Sequence, residues 1–230
     1  MSNTIAHLAV AKEVLSSAAN LVVSARDFYL GSLAPDTIGS KPDCTRDDKK
    51  RVHLREGIRD ADWLNGEKMQ LFDDRIRQFV HEQIQDPSHS SEQRDFNTGY
   101  LVHLLTDKWN HKTIRQTMLK IANQRGVLEN DREFFHMMVN DLEALDHYLL
   151  CRDPNLCPLF FSVIDNPRIC GLAGYIEPDY LKVSILWWKN RYLPGIESRK
   201  LLYITEGMIT EFVSVAAKEI SAELNALIKI

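Results

Sequence analysis

The sequence lacks paired cysteines, long apolar runs and any excess of positive charge, and each absence narrows what the chain can be. Its four cysteines, Cys44, Cys151, Cys157 and Cys170, include no Cys-x-x-Cys pair. A reducing compartment would leave them as thiols without assigned chemistry, each read as a buried structural residue. The longest apolar stretches, at 158–164 and 184–188, fall far short of the ~20 residues that cross a bilayer. Met1-Ser2-Asn3-Thr4 carries no basic region followed by an apolar stretch, so a cytoplasmic location is expected. A net charge of -4 gives no footprint for duplex DNA, which asks for clustered Lys and Arg. With only 10 Gly and 8 Pro, disorder is confined to the termini and one loop.

What is present is the makings of one core: 230 residues, 44% hydrophobic and 26% charged, predict a single domain. Apolar residues recur at helical spacing from Ile5 through Leu15, entered through Asn3 and Thr4. A short apolar element at 28–36 is punctuated by Gly31 and Pro35, with Asp36 at its exit. Residues 39–50, rich in Gly, Pro, Asp and Lys, read as an exposed loop and a candidate flap. Helical patterns follow at 53–64, 68–84, 96–122 behind a Ser90/Gln93 capping box, and up to about 150 behind Asn130/Glu133. A proline-bearing connector spans 153–167, and further helices are expected near 180–188 and 198–227. No strand-like alternation persists, so the expectation is an all-α, single-domain multi-helix bundle.

The most informative segment is Gly99 to His111. Positions four apart on a helix share a face, so His103 and Asp107 can serve one metal ion, with His111 drifting off that face by roughly 40° per step. Taken alone, such a pair is equally served by a surface hydrogen bond. Leu101, Leu104 and Leu105 put it in apolar company, where polar groups are paired with something. His7, among Ile5, Leu8 and Val10, reads alone as a hydrogen-bonded core histidine or as a ligand. A carboxylate can bridge two ions where an imidazole cannot, which singles out Asp107.

The order of these motifs resembles the bacterial zinc-dependent phospholipase C family, to which fungal single-strand nucleases are similar in fold. The likeness covers roughly the first two-thirds of the chain: His7 in the first helix, Leu30-Gly31-Ser32-Leu33-Ala34-Pro35-Asp36, His53 after a loop, and Gly99-x-x-x-His103-x-x-x-Asp107. The resemblance implies that Asp36, His53, His103 and Asp107 hold one zinc ion and that Asp107 and His7 hold a second. It also makes Asp36 the candidate to orient or deprotonate the attacking water. Two departures stand out. The family's mature N-terminal amine helps hold the second zinc, whereas here Met1 lies six residues before His7. The family's third zinc uses a further His and a His-x-x-x-Glu pair, whereas His111 is close to Asp107 and Asn140 follows His136 where Glu is expected. Two ions rather than three are therefore expected, with His136 and Asp141 in surface or supporting roles. Mn, Fe or Co would suit the same ligand types.

Two zinc ions ~3.5–4 Å apart can clamp phosphate oxygens, offset developing charge and bring water toward a pKa of ~7. The expected function is thus a phosphoric-ester hydrolase acting on a phospholipid or a small phosphodiester such as a nucleotide. The chain has no Gly-x-Ser-x-Gly elbow, no P-loop and no His-Asp dipeptide, and only Glu133-Phe134-Phe135-His136 fits a di-iron Glu-x-x-His motif. The rival from another class is a non-catalytic helical interaction protein. It would dock partners through Tyr175, Tyr180, Trp187, Trp188 and Tyr192, residues that core packing would equally employ.

Overall fold

The computed structural model describes residues 4–165, 167, 171–193 and 199–228, and the regular elements among them are all helical. In chain order these are α1 (Thr4–Ser17), α2 (Ala25–Leu33), α3 (Arg46–Val52), α4 (Gly66–Phe79) and α5 (Ser91–Lys112). There follow α6 (Ile114–Gln124), α7 (Arg132–Arg152), α8 (Leu156–Ile164), α9 (Pro178–Tyr192) and α10 (Glu206–Ile228). Tighter 3-10 turns occupy Ala34–Ser40 and Asp60–Leu64, and a π turn at Val80–Ile84 prolongs α4. None of the described helices is long and apolar enough to cross a membrane.

The fold is organised around α5. Every residue from Asp95 to Thr106 is buried, and a helix covered on all sides has to be central. Helices α1, α2 and α10 pack around it. Its closest neighbour is α2, and a reciprocal pair of glycines sets the distance. A Cβ on Gly31 would lie 1.9 Å from the Phe96 carbonyl oxygen, and one on Gly99 would lie 1.8 Å from that of Phe28. Gly31 therefore permits close backbone approach and does not interrupt the helix.

Buried polar groups fix the helices against one another. Asp95 accepts the backbone N–H groups of Val23 (3.0 Å) and Ser24 (2.6 Å), anchoring the start of α2 on α5. Lys108, also buried, bonds to Asp73 (2.8 Å) of α4 and to Glu223 (2.9 Å) of α10.

Several expected boundaries move. Residues 39–50 are largely helical: Thr45 and Asp48 form a capping box, with Thr45 Oγ1 accepting from Asp48 N (3.1 Å) and Asp48 from Thr45 N (2.9 Å), which starts α3. His53 does not begin a helix; it is the C-cap of α3, followed by Leu54 at φ 56°. The helix expected over 96–122 is broken at Thr113, whose backbone leaves the helical region. Ser90 caps α5 as expected, whereas the N-cap of α7 is Asp131, so that helix does not start through Asn130/Glu133. The 153–167 connector contains α8, because Pro158 falls in its first turn, where no intrahelical N–H bond is lost. Helix α10 starts at Glu206; Ser198, where it was expected to begin, lies outside the described residues. Cys151 is exposed and Cys44 and Cys157 are half-buried, so these three are not core thiols, and Cys170 lies outside the described residues.

Candidate metal centre

Four separate elements deliver the five residues singled out in the sequence. His7 rides on α1, whose N-terminal turn is clamped from outside: the buried Asp146 of α7 accepts Ala6 N (3.2 Å) and the Tyr192 hydroxyl (3.0 Å). Asp36 sits in the 3-10 turn that Pro35 opens at the end of α2. His53 is presented at the end of α3, and Tyr100 of α5 fixes that end by donating to the Val52 carbonyl (2.7 Å). Arg75 then holds the following turn through the carbonyls of Leu54 and Glu56. His103 and Asp107 come from α5 itself.

These side chains converge. His53 Nε2 lies 3.3 Å from His103 Nε2, 3.5 Å from Asp36 Oδ1 and 3.8 Å from Asp107 Oδ2. His103 Nε2 is 3.9 Å from the same Asp107 oxygen. The other oxygen, Oδ1, faces His7 Nε2 at 3.6 Å. The ring of His7 is stacked on that of His103, with centroids 3.6 Å apart and planes 12° from parallel. Two groups that could hold a metal ion result, Asp36 with His53 and His103, and His7 with His103 and Asp107.

Proton placement shows why a cation suits this arrangement. His103 Nδ1 donates to the Ser32 carbonyl and His53 Nδ1 to the Lys49 carbonyl, each at 2.8 Å. Carbonyls only accept, so both Nδ1 atoms carry hydrogen and both Nε2 atoms of the neutral rings offer lone pairs. The His103 lone pair and both carboxylates thus lie within 4 Å of the His53 lone pair, with no donor on either Nε2, an unfavourable buried arrangement unless a positive charge is shared. The spacing also fits, since ligands bound tetrahedrally at 2.0–2.2 Å stand about 3.3–3.6 Å apart.

The electrostatics agree. Burial pushes the His103 imidazole down to about 3, with His7 adding to the effect, and burial likewise lowers His7. Burial works against ionisation of Asp107 and Asp36, yet the neighbouring imidazoles, His103 foremost, hold both below the ordinary carboxylate range, Asp107 at about 2. At neutral pH the cluster therefore offers two carboxylates and the neutral imidazoles of His7 and His103, a donor set for a divalent cation.

The cluster opens on one side. His103 and His7 are sealed, whereas Asp36 and Asp107 reach the floor of a cleft of about 1370 Å³. One part of the lining is basic, with Arg46, Lys49, Lys50, Arg55 and Arg115; another is apolar, with Phe134, Phe135, Met138, Trp187 and Trp188.

The remaining candidates separate. His111 lies over Trp63 (centroids 4.6 Å apart, planes 13° from parallel) and belongs to neither metal-holding group among the described residues. His136 is exposed and takes a bond from Arg132. Asp141 is buried and accepts the backbone N–H groups of Leu202, Tyr203 and Ile204, so it supports the approach to α10. The Met1 amine lies outside the described residues. Of the aromatic group, Trp188 and Tyr192 are core, Tyr175 and Tyr180 are partly buried against it, and Trp187 is exposed. Sequence reasoning missed Asp146, Tyr100 and Arg75 as supports, because each acts through a backbone group of a distant segment that no local pattern marks. No family model matches the chain, and neither a curated protein nor a solved structure matches it.

Proposed function

We propose that the protein is a zinc-dependent phosphoric-ester hydrolase of the phospholipase C type, acting on a phosphodiester through activated water. The observation that carries this reading is the orientation of Asp107: Oδ2 toward His53 and His103, Oδ1 toward His7. A bridging carboxylate has that disposition, and it fits two ions. Asp36, His53, His103 and Asp107 would hold one, His7 and Asp107 the other, in line with the motif order that resembles the family. Bound there, a pair of divalent cations supplies charge to phosphate oxygens and brings water toward a neutral pKa.

The chain's own residues supply the rest. The Ser32 and Lys49 carbonyls fix the imidazole tautomers, so that Nε2 lone pairs point inward. Asp36, 3.5 Å from His53 and partly open to the cleft, would orient the attacking water and accept its proton. The cleft lining mixes basic with acidic side chains, so an anionic ester would be drawn by the bound cations together with the basic part around Arg46, Lys49 and Lys50. A phospholipid, a nucleotide or another small diester all meet these requirements, and Mn, Fe or Co would meet the ligand set as zinc does.

The second reading, a helical scaffold that docks a partner, draws on the exposed Val183, Leu186 and Trp187, which share one face of α9. Elemental analysis of protein purified without chelator, combined with hydrolysis of bis(p-nitrophenyl) phosphate before and after chelation, separates the two. About two metal equivalents and chelator-sensitive turnover are expected; metal-free protein without turnover would overturn the hydrolase reading in favour of the scaffold.

A further inference from the structure

Beside the metal centre the cleft holds a concentration of guanidinium groups that the ligand cluster does not use. Asp60, in the 3-10 turn after His53, hydrogen-bonds Arg55 and has Arg46 at 3.5 Å and Arg115 at 3.8 Å. Arg115 also pairs with Glu129 at 2.9 Å. Three cations against two carboxylates leave one positive charge over, and Arg46, Arg55, Asp60, Arg115 and Glu129 all line the cleft into which Asp36 and Asp107 open. Hydrogen-bond capacity is in surplus too. A guanidinium carries five donors, and the contacts of Arg46, Arg55 and Arg115 with Asp60 and Glu129 run through Nη2, which leaves outer N–H groups over, while the buried Nε atoms of Arg55 and Arg115 meet no acceptor.

The position of this corner relative to the metal centre follows from α5. His111, one turn and about 6 Å beyond Asp107 along the helix axis, interacts with Asp60, Arg55 and Arg115. Its ring lies flat on Trp63, and Arg55 also lies over Trp63, 5.2 Å from the ring centroid. Two guanidiniums at this distance make the corner hostile to a further metal cation and hospitable to an anion.

We propose that Arg46, Arg55 and Arg115, gathered on Asp60 one helical turn beyond Asp107, form a subsite for a second anionic group of the substrate, a phosphate or a carboxylate. The inference rests on the phosphoric-ester reading of the metal centre and narrows its substrate class to esters whose alcohol portion carries negative charge of its own. Asp60 acts as the positioning residue: it holds the three guanidiniums in register while leaving their remaining donors to the ligand.

The test compares two diesters that differ in one group, methyl p-nitrophenyl phosphate and carboxymethyl p-nitrophenyl phosphate, on the metal-loaded protein. The carboxylate-bearing ester is expected to show kcat/KM about tenfold higher or more, mainly through KM, as one charge-assisted contact provides. Arg115→Gln should bring that ratio close to one, and Arg115→Lys should retain part of it. Arg46→Gln changes a side chain too exposed to affect folding and should lower the ratio roughly threefold. A wild-type ratio of one or less, or a ratio unmoved by all three substitutions, overturns the subsite. Should neither ester be hydrolysed, the hydrolase reading falls and the subsite is judged by calorimetric titration of the same two esters. Binding of the carboxymethyl ester about tenfold tighter, and lost in Arg115→Gln, supports it; equal affinities overturn it.

Discussion

Substituting alanine for Gly99 would place a methyl group 1.8 Å from the Phe28 carbonyl oxygen, 2.8 Å from its carbon and 2.9 Å from Ser32 N. All three are backbone atoms, so no side chain can swing aside. Restoring ordinary contact at 3.4 Å means that α2 and α5 must part by about 1.6 Å. The His103 Nδ1 to Ser32 O bond, now 2.8 Å, spans the same interface and would open to about 4.4 Å, beyond hydrogen-bond range. Overpacking costs about 1–3 kcal/mol or more, and an orphaned buried pair adds about 1–3 kcal/mol. Against a total stability of about 5–15 kcal/mol, Tm should fall by about 5–20 °C in a chain of this size. The assay is thermal melting of the metal-free protein, with metal content measured on the same preparation. Gly99→Ala should melt early and hold less than one metal equivalent. Gly66→Ala, where a Cβ meets nothing within 4 Å, should melt within about 2 °C of wild type. A Gly99→Ala variant with unchanged Tm and full metal content would refute the idea that this contact sets the geometry of the centre.

Four further outcomes are expected. Asp107→Ala should take the metal content from about two equivalents to one or none, because a bridging ligand serves both ions; elemental analysis showing no change would dismiss the bridge. Asp36→Asn keeps the shape of the side chain and should lower kcat on an aryl phosphodiester about 100-fold or more, and wild-type turnover would remove Asp36 from the proton-handling role. Burial lifts the Asp146 carboxyl to about 7 from 3.8, so the fold binds a proton between those values and loses stability as pH rises through about 7. Asp146→Asn should therefore gain on wild type in melts taken from pH 5 to pH 8, and parallel curves would count against a buried titrating carboxyl. Thr45→Ala removes half of the α3 capping box and should cost about 1 kcal/mol in urea titrations; no loss would mean that α3 is held by its packing alone.

Part of the candidate cluster was legible from spacing, and the rest was expected only through the order of motifs that resembles the family. His103 and Asp107 are one helical turn apart, and that relation survives in any context where α5 forms. Pro35 made the turn that carries Asp36 legible, whereas its candidacy as a ligand came from the resemblance. His53 was legible as a ligand type but not in its setting, since the C-cap geometry depends on Tyr100 reaching across from α5. The helix at 46–52 was hidden behind Gly, Pro and Lys composition, although Thr45 and Asp48 carried the capping signal. Gly31 looked like punctuation because a single chain cannot show that Gly99 lies opposite it. Asp146 and the Arg55–Asp60–Arg115 corner were not legible at all: a carboxylate bonded to backbone N–H groups 140 residues away leaves no periodic trace.

Lys108 follows Asp107 directly, about 100° further round α5, and its ammonium is gripped by α4 on one side and α10 on the other. That grip keys the roll of the helix about its own axis. With side-chain tips about 5–6 Å from the axis, each 10° of roll would sweep the Asp107 carboxylate by about 1 Å, enough to move it out of reach of His7 or of His53. A lysine that faces away from the ligands thus acts as their alignment pin, and shortening it would detune the centre from the far flank of the helix.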